Sequence, residues 1–492
     1  MMHGAEKSDS SVVATKSANK PRLPGAESME RREGTKENTG ESPASRTLSR
    51  AIASGGLDRV RQAARGNKKE RFTALLHHVT VDLLWQAYHW LKRSAAPGVD
   101  GVTWYDYEEN LEAKLTDLHT RVHRGSYHPL PSRRKYIAKP DGRQRPLGIA
   151  ALEDKIVQRA VVEVLNAIYE QDFLGFSYGF RPGRGQHDAL DALAVGITQR
   201  HVNWILDADI AAYFDTVSHD WMLRFLEHRI GDRRLLRLIG QWLKAGVMEE
   251  GVVTVAETGT PQGAVVSPTL SNVYLHYVFD LWAHHWRQHQ AWGEVILVRY
   301  ADDVVAGFEH EGTAKRFLAD LRQRMAKFAL SLHPDKTRLI RFGRFAAKQR
   351  AERGLGKPET FTFLGFTHIS GRTQKGSFIL IRKSRRDRMR AKLRAIKDEL
   401  RRRMHDPIPQ QGQWLGQVVR GYFAYHAVPT NLRSLVVFRH YVERLWLKTL
   451  RRRSQKDRFQ WVQLIRLAAA WLPSPRILHP WPEARFAVNH PR

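Results

Sequence analysis

Two groups of acidic residues sit inside stretches that otherwise have no use for charge. In RYADDVV, residues 299–305, Asp302 and Asp303 are adjacent, with Val295, Ile296, Leu297 and Val298 before them and Val304, Val305, Ala306 and Phe308 after. Upstream, WILDADIAAYFDTVSHD, residues 204–220, begins as an apolar run and carries Asp207, Asp209 and Asp215. Neighbouring carboxylates repel each other, and a hard divalent cation bound through oxygen is the usual partner that outweighs the repulsion. An Asp-rich turn held by local hydrogen bonds is the other reading of the Asp302-Asp303 pair. On a strand, Asp207 and Asp209 point to the same face. A strand acid and a hairpin pair 94 residues further on can converge on two magnesium ions. Such ions activate a hydroxyl nucleophile and stabilise a leaving pyrophosphate during in-line displacement at phosphorus.

The elements that must position these groups follow from the surrounding pattern. Short Val- and Ile-rich runs on either side of Asp302 and Asp303 read as two strands buried on both faces, with the acids at the tip of a tight hairpin. The run ending at Asp209 reads as another strand, followed by a helix that Ser218 or Asp220 can cap. From about Phe72 onward, amphipathic helices alternate with short apolar strands, which makes the fold class α+β. Residues 1–70 are rich in Ser, Gly, Lys, Arg and Glu and are expected to be mostly disordered, with SRTLSRAIASGG (46–57) a short ordered arm. Near residue 380 the pattern changes again, and Met389, Leu393, Ile396, Leu400 and Met404 form one apolar stripe on a densely basic helix. Further helices are expected around Trp414–Tyr425 and Leu432–Leu450. The predicted organisation is an extension over 1–70, an α+β body over 71–375 and a helical domain over 376–486.

Composition narrows the partner. The chain has 492 residues, with 80 Lys and Arg against 50 Asp and Glu, a formal net charge of +30. So large a cationic excess implies a polyanion, and nucleic acid is favoured over a membrane because no run approaches the roughly 18 apolar residues of a spanning helix. There is no cysteine, so disulfides and cysteine-ligated zinc are excluded. The first residues carry no apolar leader, and a cytoplasmic location is expected.

The order of motifs resembles the group II intron reverse transcriptase and maturase family. DADIAAYFD, TPQGAVVSPTLSNVYLHY (260–277), YADD, LHPDKTRLIRFG (332–343) and FTFLGF (361–366) are similar to that family's successive palm motifs. The likeness extends upstream through GVDGVTW (98–104), RRKYIAKPDGRQRPLGIAALEDKIVQRAV (133–161) and SYGFRPGRGQHDAL (177–190), and downstream to PRILHPWPEARF, so that it covers roughly residues 70–486. It implies a right-hand polymerase architecture, with fingers and palm over an antiparallel sheet and then a helical thumb or maturase domain. It also implies RNA-directed DNA synthesis with two Mg2+ ions and deoxynucleoside triphosphates, on an RNA template with a DNA primer, together with binding of intron RNA to assist splicing and retrohoming. Past the thumb nothing resembles a DNA endonuclease, so a member lacking that domain is expected.

Carried over by position, the resemblance assigns Asp209, Asp302, Asp303 and the backbone carbonyl of Ile210 to the metal ions. Asp207 and Asp215 are not among the metal acids it implies, and Asp207 is expected to tune the local field and Asp215 to make a structural hydrogen bond. Phe214 matches the ring that would clash with a ribonucleotide 2′-hydroxyl. Arg133, Lys139 and Arg145, six residues apart around the Pro140-Asp141-Gly142 turn signal, can clamp a triphosphate across a hairpin, or be solvated surface charge. Gln262 matches a nucleotide-contacting glutamine, Lys336 a lysine that protonates pyrophosphate, and FLGF with Gly365 the primer grip. Ala264, where the family usually has glycine, is expected to be tolerated. The Arg-rich helix over 385–403 is expected to grip RNA phosphates. Two alternatives are a splicing cofactor without catalysis, against which the intact acids argue, and a domesticated reverse transcriptase in defence or repair.

Overall fold

A computed structural model of the chain describes residues 43–138, 144–249, 251–255, 258–259, 263–453 and 459–489. Eleven strands are present among these residues. In chain order they are β1 (Ser132–Ala138), β2 (Gln144–Ile149), β3 (Trp204–Asp209), β4 (Val247–Glu249), β5 (Val252–Thr254), β6 (Val295–Tyr300), β7 (Asp303–Phe308), β8 (Arg338–Arg341), β9 (Phe361–Phe363), β10 (Phe366–Arg372) and β11 (Phe378–Ser384). They form three sheets, ordered β2-β1-β4-β5, β6-β7-β3-β8 and β11-β10-β9.

The β6-β7-β3-β8 sheet is central. Side chains alternate across a strand, so Leu206, Ala208, Val304, Ala306 and Phe308 enter one core with the helices Leu152–Asp172 and Ser267–Leu275. From the opposite face, Ile205, Val298, Val305 and Ile340 enter a second core with Phe361, Phe363 and Phe366 and the helix Gln186–Gln199. Both faces are therefore buried, as the continuous apolar runs require, and only the strand ends can hold charge without a large desolvation cost.

Two glycines allow separate segments to touch. Gly263 has φ 111, and a Cβ there would lie 2.6 Å from the carbonyl oxygen of Gly148 on β2. A Cβ on Gly179, in the SYGF stretch, would lie 2.2 Å from the amide nitrogen of Ala301. Only glycine permits backbones to approach this closely.

After β11 the chain is helical over Arg386–Arg402, Ile408–His426, Leu432–Arg451 and Trp461–Trp471. Ile396 and Leu400 of the expected stripe are buried in a third core with Leu415, Val419, Phe438, Val442 and Trp446, while Met389 and Leu393 pack at its edge. At the other end, a helix spans Pro43–Gly66, beyond the short arm expected over 46–57. Its Leu57, Val60 and Ala64 are buried in the first core, so the expected disorder does not reach residue 70. This apolar stripe is too sparse to stand out in a Ser- and Arg-rich composition. Among the described residues no helix is long and apolar enough to cross a membrane.

Candidate active site

β3 and β7 run antiparallel with Asp209 opposite Asp303 and Asp207 opposite Val305. Opposed residues of an antiparallel pair project from the same face, so Asp207, Asp209 and Asp303 share one side of the sheet end. Tyr300 of β6 pairs with Asp303, so the tight hairpin expected from the sequence is tipped by Ala301 and Asp302, while Asp303, also expected at the tip, is the first residue of β7 because it is already paired across the hairpin. Ala301 adopts φ 57, a left-handed conformation that costs energy for a residue with a Cβ.

Arg299 holds that turn in place. It is completely buried, and so is Asp280, which it contacts through Nε to Oδ1 at 2.7 Å and Nη2 to Oδ2 at 2.6 Å. Nη1 donates to the Ala301 carbonyl at 3.0 Å and to Asn272 Oδ1 at 3.1 Å, and Nη2 donates to Ser177 Oγ at 2.7 Å. All five N–H groups of the guanidinium are thereby used, and a fully satisfied buried ion pair is the only kind that avoids a heavy desolvation penalty. Asn272 in turn donates to the Gly179 carbonyl at 2.7 Å, so the SYGF segment, the helix Ser267–Leu275 and the acidic turn are fastened together.

The acids themselves are crowded. Withdrawal from water, then repulsion by Asp302, Asp209 and Asp207, push the Asp303 carboxyl up to about 7. Its side chain is open to solvent on one side, which tempers the effect. Burial raises Asp302 too; its own backbone N–H counters this, Asp209 adds to it, and Arg145 and Lys336 oppose it. Asp207 is lifted to about 6 by burial, against the pull of Arg338, whose guanidinium stands 3.7 Å away across the β3–β8 pair. The Lys336 ammonium sits directly on the Asp209 carboxylate. Among the described residues no three acids or histidines are drawn together tightly enough to grip a metal ion as they stand. The donor set nevertheless suits one: the donors are carboxylate oxygens, their mutual repulsion calls for a cation, and an ammonium already stands on one of them. The Ile210 carbonyl is turned away from the Leu332 segment, because the flanking groups make the bonds there, Ala211 N to Ser331 O and His333 N to Asp209 O, both at 2.8 Å.

Known proteins resemble this chain over the segment that carries the acids. Residues 137–368 match the family described as reverse transcriptase (RNA-dependent DNA polymerase). The chain is 41% identical over 196 residues to Protein YkfC of Escherichia coli (strain K12), an alignment covering 39% of this chain and 51% of that protein. It is 34% identical over 222 residues to group II intron-encoded protein LtrA of Lactococcus lactis subsp. cremoris, covering 45% of this chain and 37% of that protein. A putative COX1/OXI3 intron 1 protein of Saccharomyces cerevisiae is 26% identical over 368 residues, 65% of this chain and 43% of the yeast protein. The chain is similar, over its central segment, to reverse transcriptases and to proteins encoded by introns. It spans about half or less of the length of these relatives.

The matched reverse transcriptase segment takes in the acids and Lys336, and excludes Arg133 and the helices from Arg386 onward. Of the expected triphosphate clamp, Arg133 pairs with Ile149 and Arg145 with Ile137. The two arginines therefore share one face and are both exposed, but they lie four strand steps apart, about 13 Å. Lys139, the Pro140-Asp141-Gly142 turn and Gln262 lie outside the described residues. Phe214 is half-buried in the short helix Tyr213–Thr216, with its ring edge-on to Tyr213 at 5.3 Å. Leu364 (φ 45) and Gly365 (φ 81) turn the chain from β9 into β10; the Tyr425 hydroxyl donates to the Leu364 carbonyl at 2.7 Å, and the Arg385 amide to that of Gly365 at 3.1 Å. Ser218 caps the helix His219–Glu227 through the Trp221 amide. Arg299 and Asp280 were not singled out by sequence reasoning, although an arginine inside the apolar run VILVRY is itself a signal that a buried partner exists.

Proposed function

We propose that the chain is an RNA-directed DNA polymerase that also binds group II intron RNA as a maturase, assisting splicing and retrohoming. The observation that carries the reading is Asp209 opposed in register to Asp303, with Asp302 in the adjoining turn. In this reading the β6-β7-β3-β8 sheet belongs to the palm and the β2-β1-β4-β5 sheet to the fingers, within residues 71–375, and the helices of residues 376–486 form the thumb or maturase domain.

Asp209, Asp302, Asp303 and the Ile210 carbonyl would hold two magnesium ions, whose chemistry when bound is to activate the primer 3′-hydroxyl and stabilise the leaving pyrophosphate. Lys336 neutralises Asp209 in the free protein and, once released from it, holds a proton at Nζ for the departing pyrophosphate. Phe214 excludes the ribose 2′-hydroxyl. Arg133 and Arg145, on one face of the fingers hairpin, take separate parts of the incoming nucleotide rather than a single phosphate; Lys139 and Gln262 are proposed to assist on the strength of the family resemblance. Arg390, Arg394 and Arg401, exposed on the helix Arg386–Arg402, bind RNA phosphates, whereas Arg402 is engaged by Glu399 at 3.2 Å.

Primer extension on an RNA template tests the catalytic half. Asp209→Ala and Asp302→Ala are expected to drop to background while RNA affinity is retained, and near-normal extension by either variant would sink the assignment. For the maturase half, reversing Arg390, Arg394 and Arg401 to Glu is expected to impair splicing of a group II intron more than extension of a short annealed primer.

A further inference from the structure

A second basic feature lies away from the catalytic acids. Between the helices His219–Glu227 and Arg233–Lys244 runs a groove of about 670 Å3, closed on one side by His128 and Pro129. The second helix buries Leu235, Leu238, Ile239, Trp242 and Leu243 in the first core. Its other side carries Arg233, Arg237, Gly240 and Lys244, which at 100° per residue fall on one stripe about 16 Å long. Arg233, Arg237 and Lys244 are exposed, and none is ion-paired with an acid among the described residues, whereas the neighbouring Arg234 reaches Asp232 at 3.8 Å. Leu223 and Leu236 supply an apolar floor that remains partly open to solvent.

Gly240 is the telling position. A glycine in the interior of a helix destabilises it relative to alanine, and no steric need explains this one. A Cβ there would meet only Leu223 Cδ1, at 3.9 Å, which is ordinary van der Waals contact. What the missing side chain leaves is an open floor midway along a row of unpaired cations.

We infer that this groove binds a single strand of RNA, with phosphates along Arg233, Arg237 and Lys244 and one unpaired base laid over Gly240 against Leu223 and Leu236. A duplex keeps its bases stacked inside and offers an apolar floor nothing to contact, while an unpaired base presents its ring face. Glu227 and Gln241 at the rim provide acceptors for a 2′-hydroxyl, which favours RNA over DNA. The choice of RNA rests on the proposed function; the groove and its cations do not, and none of their residues belongs to the catalytic strands.

The test uses the full chain with fluorescent twelve-nucleotide probes, oligo(rU), oligo(dT) and an RNA duplex, across a salt series. Arg233→Glu, Arg237→Glu and Lys244→Glu together are expected to weaken oligo(rU) binding at least about tenfold and to reduce the slope of log affinity against log salt by about two, the share of three phosphates. Gly240→Leu fills the groove without touching charge, so it should weaken oligo(rU) binding with the slope unchanged, while melting at or above the parent temperature. A 4-thiouridine probe should crosslink within residues 219–245. Extension of a short annealed primer should persist in both variants, so loss of the proposed polymerase activity in the parent chain would be a separate result. Parent-like oligo(rU) binding by the triple variant or by Gly240→Leu, an equal loss for the duplex or for oligo(dT), or crosslinks elsewhere only, would each overturn the assignment.

Discussion

Arg299 and Asp280, both without solvent exposure, form a two-point ion pair beneath the turn that carries Asp302, and Arg299 also holds the Ala301 carbonyl at 3.0 Å. The pair is thus both a core element and a brace for the acids. Removing one partner strands a buried charge, which costs about 3–5 kcal/mol. Arg299→Met alone should therefore melt well below the parent. The double variant Arg299→Met with Asp280→Leu should regain most of that stability yet leave the turn unbraced, and DNA synthesis should stay down by about a hundredfold, the penalty for misplacing a catalytic group by about 1 Å. Equal recovery of melting temperature and synthesis in the double variant would show that the brace has no positional role.

Crowding of Asp303 by Asp302, Asp209 and Asp207 implies a stabilising effect of magnesium on the folded chain. An ion bound only by the native state adds about 2.7 kcal/mol at one hundred times its dissociation constant. The melting temperature of the parent should climb with magnesium concentration, and that of Asp303→Asn should climb much less. Identical magnesium dependence in both would place the ion elsewhere. The measurement needs no nucleotide or primer.

Phe214 stands five residues beyond Asp209, in the short helix Tyr213–Thr216, its ring half-buried. Phe214→Val should raise ribonucleotide incorporation relative to deoxynucleotide by about tenfold or more, because a small steric change against a sugar is worth 1–3 kcal/mol of discrimination. An unchanged ratio, measured by single-nucleotide insertion kinetics, would reduce Phe214 to a packing residue.

Asp154, in the first turn of the helix Leu152–Asp172, accepts hydrogen bonds from the Tyr127 hydroxyl and, at 3.1 Å, from the Leu130 amide, yet burial lifts its carboxyl to about 6. A raised acid binds its proton more tightly when folded than when unfolded, so stability falls as pH rises from about 4 to about 6 and then levels off. Asp154→Asn should lack this decline. The difference in melting temperature between parent and variant, followed from pH 4 to pH 8, should therefore shift in favour of the variant over the lower half of the range; a constant difference would contradict the assignment.

Local pattern carried a good deal of this protein. The strands around Asp207, Asp209, Asp302 and Asp303, the tight hairpin, the Ser218 cap and the basic helix with Ile396 and Leu400 inward were legible because each depends on alternation, helical spacing or turn chemistry within some twenty residues. What lay beyond the sequence was decided by partners far away in the chain. Asp209 meets Asp303 because β3 is inserted between β7 and β8, and that order follows from packing both faces of the sheet. Arg299 needed Asn272 and Asp280 from one helical stretch and Ser177 from another segment before its charge could be buried. Arg133 and Arg145 proved to be on one face but about 13 Å apart, because pair register, not their spacing of six, sets their separation. The open floor at Gly240 exists only once the two helices are docked. Periodicity reports which face of an element is buried; which elements bury one another is a property of the whole packed chain, since each long-range contact is stable only when the others are already in place.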